Sequence, residues 1–468
     1  MEIAAFFLCY YTMPQDSPQA LLRRNGLMPN PFLPCWEHIP DGEPRLFGER
    51  VYLYGSHDRP RSDSFCDMRL KAWSAPAGDL GNWTCHGDIF HSQADQDHES
   101  DVSWLENGML YAPDAIQING KYYLFVYLFY GRGCVAESDR PEGPFRLLHA
   151  YTWGEKEQFP QGVCENGVLV DPGVLLDDDG QLYVFGGYEK SWAARLNPQK
   201  PWQVIPDSYV PDILPAGEPF RFFEACSPRK IGGLYYLVYS PRTGSRLVYA
   251  TADRPLGPYT YRGVIVDNGQ DYPGGNNHGG LCKIGDQWYI FYHRATNGTV
   301  FSRQACAEPV SILPDGTIPQ VPMTSMGLTG PLNPFEPTPA YRCCVLRGGC
   351  VKELSPLRTV VANLKDKSVV GYRDFDFGLD RGLTPLRLVI QVRGNGEEGR
   401  VHVRLDDAEG QDAACLSFSG NDETLCLPLP PIIGRHALYF VLEDPRRQMD
   451  WGLHDRELIQ LEQFVFLK

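Results

Sequence analysis

One phrase recurs five times in the first two-thirds of this chain: a Gly-bearing turn, then aromatic and aliphatic residues in alternation. It reads Phe47-Gly48-Glu49-Arg50-Val51-Tyr52-Leu53-Tyr54 and returns as Ile118-Asn119-Gly120-Lys121-Tyr122-Tyr123-Leu124-Phe125. Next come Asp179-Gly180-Gln181-Leu182-Tyr183-Val184-Phe185, Ile231-Gly232-Gly233-Leu234-Tyr235-Tyr236-Leu237 and Ile284-Gly285-Asp286-Gln287-Trp288-Tyr289-Ile290-Phe291. Each copy reads as a hairpin turn opening a half-buried strand. The anchor tyrosines Tyr52, Tyr123, Tyr183, Tyr236 and Tyr289 recur every roughly 50 to 70 residues, the length of one four-stranded propeller blade with its loops. Helical periodicity is weak, and Gly (47) and Pro (39) are abundant. The expectation is an all-β chain with a five-bladed β-propeller over residues 28–326, after an N-terminal extension of residues 1–27.

A polar residue precedes each anchor by about 9 to 12 positions: Asp41, Asp114, Asp171, Glu224 and His278. The strand before the repeated one is the innermost strand of a blade, so equivalent positions converge near the propeller axis. Four carboxylates and a histidine are expected to ring one end of the channel. Each alone has a plainer reading. Asp41 before Gly42 and the Pro-flanked Asp114 and Asp171 suit turns, and His278 among Asn and Gly suits a loop. Glu224 after Phe222-Phe223 is harder to dismiss, because a carboxylate among aromatics needs a reason.

Such a ring suits glycoside hydrolysis, in which one carboxyl group protonates the leaving oxygen and another activates water or attacks carbon. The two groups need pKa values driven apart by their surroundings. An apolar setting would keep Glu224 protonated, as an acid requires, and the polar Gly42-Glu43 turn would leave Asp41 ionised, as a base requires. Asp114 is expected to hold the Glu224 pKa up by like-charge repulsion.

Composition narrows the alternatives. A net charge of −15 disfavours nucleic acid. No window resembles a membrane span. The 14 cysteines lack metal-ribbon or disulfide spacing and read as thiols in a reducing compartment. The apolar run Ile3–Tyr11 lacks a positive n-region and a cleavage motif, so a cytoplasmic, bacterial location is expected. Asp177-Asp178-Asp179-Gly180 lacks the remaining ligands of a calcium loop and reads as a hairpin turn.

The pieces Asn30-Pro31, Pro40-Asp41, Ala112-Pro113-Asp114, Asp171-Pro172, Phe223-Glu224-Ala225 and His278-Gly279-Gly280, in that order and blade register, resemble glycoside hydrolase family 43. The resemblance covers roughly residues 28 to 325. It implies a five-bladed propeller and hydrolysis with inversion. It implies Asp41 as general base, Glu224 as general acid and Asp114 as the residue that tunes the acid and orients substrate. It also implies a place for His278 near the channel centre, close to a calcium or sodium ion. Glu43, beside Pro44, is a rival base. Tyr111, where many members carry Trp, is an expected sugar-stacking ring, joined in substrate binding by Asp171, Phe223, Arg294 and Arg303. The implied activity is an exo-acting α-L-arabinofuranosidase or β-D-xylosidase on plant-derived oligosaccharides. The alternatives are a non-catalytic sugar-binding propeller and another propeller glycosidase or phosphorylase.

Residues 327–344 are Pro- and Gly-rich and read as a linker. Beyond them, alternating stretches at Leu386–Arg393, Arg400–Leu405, Ala414–Ser419, His436–Leu442 and Gln463–Leu467 suggest a jelly-roll-like β-sandwich over 345–468. Gly399–Asp406, Gly434–Phe440 and Phe464–Phe466 resemble carbohydrate-binding module family 6. That resemblance implies either a sugar-binding face or a brace for the propeller.

Overall fold

The computed structural model describes residues 29–102, 108–129, 133–164, 168–379, 385–446 and 455–468. The expected extension at residues 1–27 lies outside them. Five sheets follow one another along the chain, each built on an antiparallel run that starts from an innermost strand: Glu43–Phe47, Leu110–Ile118, Gly173–Leu176, Phe222–Ile231 and Leu281–Ile284. The repeated phrase forms the hairpin from each innermost strand to the next. Its turn glycines Gly48, Gly120, Gly180, Gly232 and Gly285 all have positive φ, which other residues adopt only under strain. The Asp177–Gly180 stretch is one of these hairpins, as expected, and Asp177 Oδ1 takes a 2.5 Å hydrogen bond from Lys230.

Apolar faces pack blade against blade around a closed ring. Tyr54 and Leu70 of the first blade share a core with Leu124 and Val126 of the second. The second and third blades meet through Phe125, Val135, Val184 and Trp192. The third and fourth meet through Phe185, Ala193, Leu237 and Tyr239. Val51 and Trp73 of the first blade pack with Phe291 and Ala305 of the fifth, which completes the circle. Among the described residues the fifth sheet has three strands, and its outer edge at Arg303–Val310 is covered by residues 30–32. Phe32 N–H donates to Ala305 O at 3.2 Å, Asn30 Nδ2 to Ala307 O at 2.8 Å, and Ala307 N–H to Asn30 Oδ1 at 2.9 Å. An uncovered edge would otherwise invite pairing with another chain.

The C-terminal part is a sandwich of two antiparallel sheets. One orders Cys350–Ser355, Arg358–Leu364, Ile459–Leu467, Leu386–Gly394 and Glu423–Leu429. The other orders Val345–Arg347, Val369–Asp376, Arg435–Glu443, Gly399–Leu405 and Asp412–Phe418. The stretch read as a linker is packed structure instead. Ala340, Cys343 and Cys344 are fully buried, and Thr338–Pro339 pairs with the last strand. One apolar core runs from Tyr249 and Tyr292 of the propeller through Tyr341 to Phe440 and Phe464 of the sandwich. Its Pro and Gly shape a turn-rich path through that core. No helix among the described residues is long and apolar enough to cross a membrane.

Candidate active site

Strand register sorts the axial residues into layers. Each anchor tyrosine faces one residue of the innermost strand: Tyr52 faces Arg45, Tyr123 faces Ile116, Tyr183 faces Leu175, Tyr236 faces Arg229 and Tyr289 faces Cys282. Four residues upstream of these partners stand Asp41, Ala112, Asp171, Ala225 and His278. The first four share a left-handed backbone, with φ of 56°, 28°, 47° and 71°. In the fourth blade a bulge between Glu224 and Ser227 adds a residue and re-aims the neighbouring Glu224. This upper layer opens into a cavity of about 630 Å³ lined by Asp41, Asp171, Glu224, Asn276, His278 and Arg303, with Phe65, Tyr111, Tyr127, Phe129, Val170, Tyr188, Phe223 and Val300 as its apolar wall.

Asp114 and Glu43 lie one layer deeper, two residues before the facing partners, level with Gly173, Ser227 and Gly280. The structure therefore corrects two expectations. Asp114 does not line the cavity. Arg45 grips it through both oxygens at 2.8 and 2.5 Å, and the backbone N–H groups of Ala115 and Val174 complete its partners. The carboxyl group coupled to Glu224 is Asp171. Glu43, the rival base, is held by Arg229 and by Ser227 at 3.2 Å, and it also stands outside the cavity lining. The space around it is full: a Cβ on Gly280 would stand 2.4 Å from Ser227 Oγ and 2.7 Å from Glu43 Oε2.

Asp41 is 4% exposed and saturated with donors. Arg303 gives its Oδ1 a 2.8 Å hydrogen bond, and the Ser56 hydroxyl gives its Oδ2 one at 2.7 Å. Burial alone would raise its pKa, but the Arg303 charge, with the neighbouring His278 and His293 and the Ser56 hydrogen bond, outweighs it and holds the carboxyl below its ordinary range. Arg303 is fixed in turn by Asp58, through Nε and Nη2 at 2.9 Å each. It also lies 4.9 Å from the centre of the Phe65 ring.

Glu224 has the opposite setting. Burial pushes its pKa up to about 7, opposed by a 2.5 Å hydrogen bond from Asn276 Nδ2 to Oε1 and supported by the negative charge of Asp41. Asp171 is raised well above the carboxylate range by burial and then by the charges of Glu224 and Asp41, while the Ala225 N–H pulls it down. Glu224 and Asp171 thus titrate as a pair. His293 ties the two halves of the site together. Its Nδ1 accepts the Asp41 N–H at 3.3 Å, and its Nε2–H donates to Asn276 O at 3.1 Å. Burial and the Arg303 charge keep it neutral, with a pKa of about 3.

Of the other sequence candidates, Tyr111, Phe223, Arg303 and His278 line the cavity. Arg294 does not. It is 1% exposed and bonded to Cys343 O at 3.0 Å, Thr324 O at 2.5 Å and the Tyr292 hydroxyl at 3.0 Å, where propeller meets sandwich. Strand alternation explains the split. Ala295 pairs with Arg303 and Arg294 with Gln304, so Arg303 projects on the His293 side and Arg294 on the opposite one. Sequence reading missed Ser56, Asp58, Asn276 and His293. Asn276 and His293 carried a readable signal, as polar neighbours of His278 and of the last anchor strand.

His278 Nδ1 lies 3.9 Å from Asp41 Oδ1. Calcium takes six to eight oxygen ligands, but the axial carboxylates here are committed: Asp41 to Arg303, Glu43 to Arg229 and Asp114 to Arg45. Two guanidinium groups already supply positive charge beneath His278. The donor set does not fit a calcium ion held by protein carboxylates.

Comparisons with known proteins agree with this geometry. A xylosidase/arabinosidase of Thermoclostridium stercorarium is 34% identical over 471 residues, covering 88% of this chain and 95% of that protein. The solved arabinoxylan arabinofuranohydrolase of Bacillus subtilis, in complex with cellotetraose, shares the fold over 95% of this chain and 98% of its own, with 23% identity and a TM-score of 0.53. A β-xylosidase/α-arabinofuranosidase from a compost microbial metagenome, solved with xylotriose in a calcium-free form, covers 64% of this chain and 98% of its own, with 26% identity and a TM-score of 0.51. Residues 38–318 match the family model of glycosyl hydrolases family 43. That span opens just before Asp41 and closes beyond Arg303, taking in all five innermost strands, and the chain belongs to glycosyl hydrolases family 43.

Proposed function

We propose that this glycoside hydrolase removes terminal α-L-arabinofuranosyl or β-D-xylosyl groups from plant-derived oligosaccharides, with inversion. The observation that carries the reading is a pair of carboxyl groups in one cavity, Asp41 buried and Glu224 partly buried, with opposite shifts, Asp41 down and Glu224 up. Glu224 Oε1 accepts from Asn276, which leaves Oε2 to carry the acid proton to the glycosidic oxygen. Asp41, ionised between Arg303 and Ser56, takes a proton from a water molecule. That water attacks the anomeric carbon from the opposite face as the C–O bond breaks. Asp171 takes the tuning role first expected of Asp114. Tyr111, Tyr127, Phe129 and Phe223 supply flat apolar surface for a sugar ring.

The relatives named for xylosidase and arabinosidase activity support the sugar class. Among the described residues that line the cavity, a phosphorylase reading finds no spare guanidinium or ammonium group, since Arg303 is already bound to Asp41 and Asp58. No step runs through a metal at His278, whose Nδ1 lies 3.9 Å from Asp41 Oδ1. The thiols Cys66, Cys134 and Cys306 support a reducing compartment, hence short imported substrates. The core shared by propeller and sandwich supports a bracing role for the sandwich.

The test is hydrolysis of para-nitrophenyl α-L-arabinofuranoside and β-D-xyloside, with the first-formed anomer read by NMR. Release of either sugar with inverted configuration supports the reading. Retained configuration, or activity confined to other glycosides, overturns it.

A further inference from the structure

A second cluster of ligating side chains stands apart from the catalytic cavity. The outer strand of the first blade, Thr84–His91, ends on the same face of the propeller as Asp41, and the chain then crosses to the second blade. His91, at the end of this strand, is 5% exposed. Its Nε2 is sealed from solvent and makes no hydrogen bond. The nearest carboxylate oxygen, Asp88 Oδ2, is 3.9 Å away and is bonded to Arg69 at 3.1 Å. His98 stacks on His91 with ring centres 4.4 Å apart and planes inclined by 19°. Asp95 Oδ1 lies 3.5 Å from His98 Nδ1.

We propose that His91, Asp95 and His98 form a binding site for a divalent transition-metal ion of the zinc class. One ligand atom from each residue falls within 4.8 Å of the others. Bonds of about 2.0–2.1 Å to a tetrahedral zinc ion would bring such atoms to roughly 3.4 Å from one another, a movement that side-chain rotation supplies. Two imidazoles and one carboxylate favour zinc, nickel or copper over calcium and magnesium, which take oxygen ligands. A fourth position would stay open to water, because Asp95 and His98 face solvent.

The backbone holds the three residues ready. Asp95 Oδ1 accepts the Asp97 and His98 N–H groups at 2.8 and 2.9 Å, and Asp95 N–H donates to His98 O at 2.8 Å. Asp101 closes the base of the loop. Its Oδ2 accepts the His91 N–H at 2.7 Å, and its own N–H donates to His91 O at 2.9 Å. The buried His91 nitrogen without a partner is the observation that points to a ligand, since buried polar atoms are otherwise paired.

The experiment is zinc chloride titration of the full-length protein after chelator dialysis. It is followed by calorimetry and metal analysis for the wild type, His91→Ala, Asp95→Asn and His98→Gln. The expected result is one equivalent of zinc bound by the wild type, weakened more than about tenfold in each variant, since loss of outer partners alone costs that much at metal sites. Cobalt should give a tetrahedral absorption spectrum in the wild type that is lost in His98→Gln. His98 is half-exposed, and this variant should keep its circular dichroism and its glycosidase kcat. Calcium should not compete. No zinc binding by the wild type, or equal binding by a folded His98→Gln, would overturn the site.

Discussion

Two layers of the propeller axis, two residues apart along each innermost strand, carry the same kinds of side chain and have different fates. The upper layer places Asp41, Asp171 and Glu224 on a cavity. The lower layer places Glu43 and Asp114 against Arg229 and Arg45. Asp41 too is bound to a cation, Arg303, but it lines the cavity; a buried carboxylate bound to its cation away from the cavity is a structural joint. A buried carboxyl group with a shifted pKa and access to substrate is a reagent. Depth along the strand, rather than residue type, separates the two.

The largest effects should come from removing the reagents. Asp41→Ala and Glu224→Ala should each lose about 100- to 10,000-fold in kcat, measured on protein that circular dichroism shows to be folded. Glu43→Ala should do the reverse. It strands Arg229 in the channel and should cost about 3–5 kcal/mol of stability in a urea titration, while the folded fraction keeps its kcat. Equal loss of activity in folded Glu43→Ala would erase the distinction between the layers.

Smaller effects sharpen it through pH. Asp41 must be ionised to act, and Arg303 is the first of the charges that hold it so. Arg303→Met should raise the Asp41 pKa and move the acidic limb of kcat/KM to higher pH. Glu224 must be protonated, so activity should fall as pH rises through about 7. The Asn276 hydrogen bond favours the ionised form of Glu224. Asn276→Ala should therefore move the alkaline limb upward by up to about one pH unit, the size of one hydrogen bond.

Much of this was legible in the sequence. The repeated Gly-aromatic hairpins announced five blades, because a turn glycine and an alternating strand leave few other solutions. The places of Asp41 and Glu224 at one end of the channel were legible from their register and neighbours. Asp114 misled because its distance to the anchor Tyr123 is short. Asp41 and His278 stand farther from their anchors, and that difference of two residues is one layer of depth. Asp171 was read only as a sugar contact, because its coupling to Glu224 arises across two blades. Arg294 and Arg303 looked alike until pairing fixed their sides. The residues of 327–344 looked like a linker because Pro and Gly mark irregular backbone whether it is exposed or, as at Cys343, wholly buried. In the sandwich, Arg358–Leu364 and Glu423–Leu429 escaped notice because an Asn and a Pro interrupt short apolar runs.

The most direct test of the layer assignment compares Asp171→Asn with Asp114→Asn, measuring kcat/KM against pH and thermal melting for both. Asp171 lines the cavity beside Glu224, whose charge pushes its pKa up, whereas Asp114 is bound to Arg45 below the cavity. Asp171→Asn should therefore reduce kcat/KM across the pH range, while melting stays near wild type. Asp114→Asn should keep kcat/KM in the folded protein and lower the melting temperature, because Arg45 loses its partner. A loss of kcat/KM in folded Asp114→Asn with activity kept in Asp171→Asn would contradict the account and return the tuning role to Asp114.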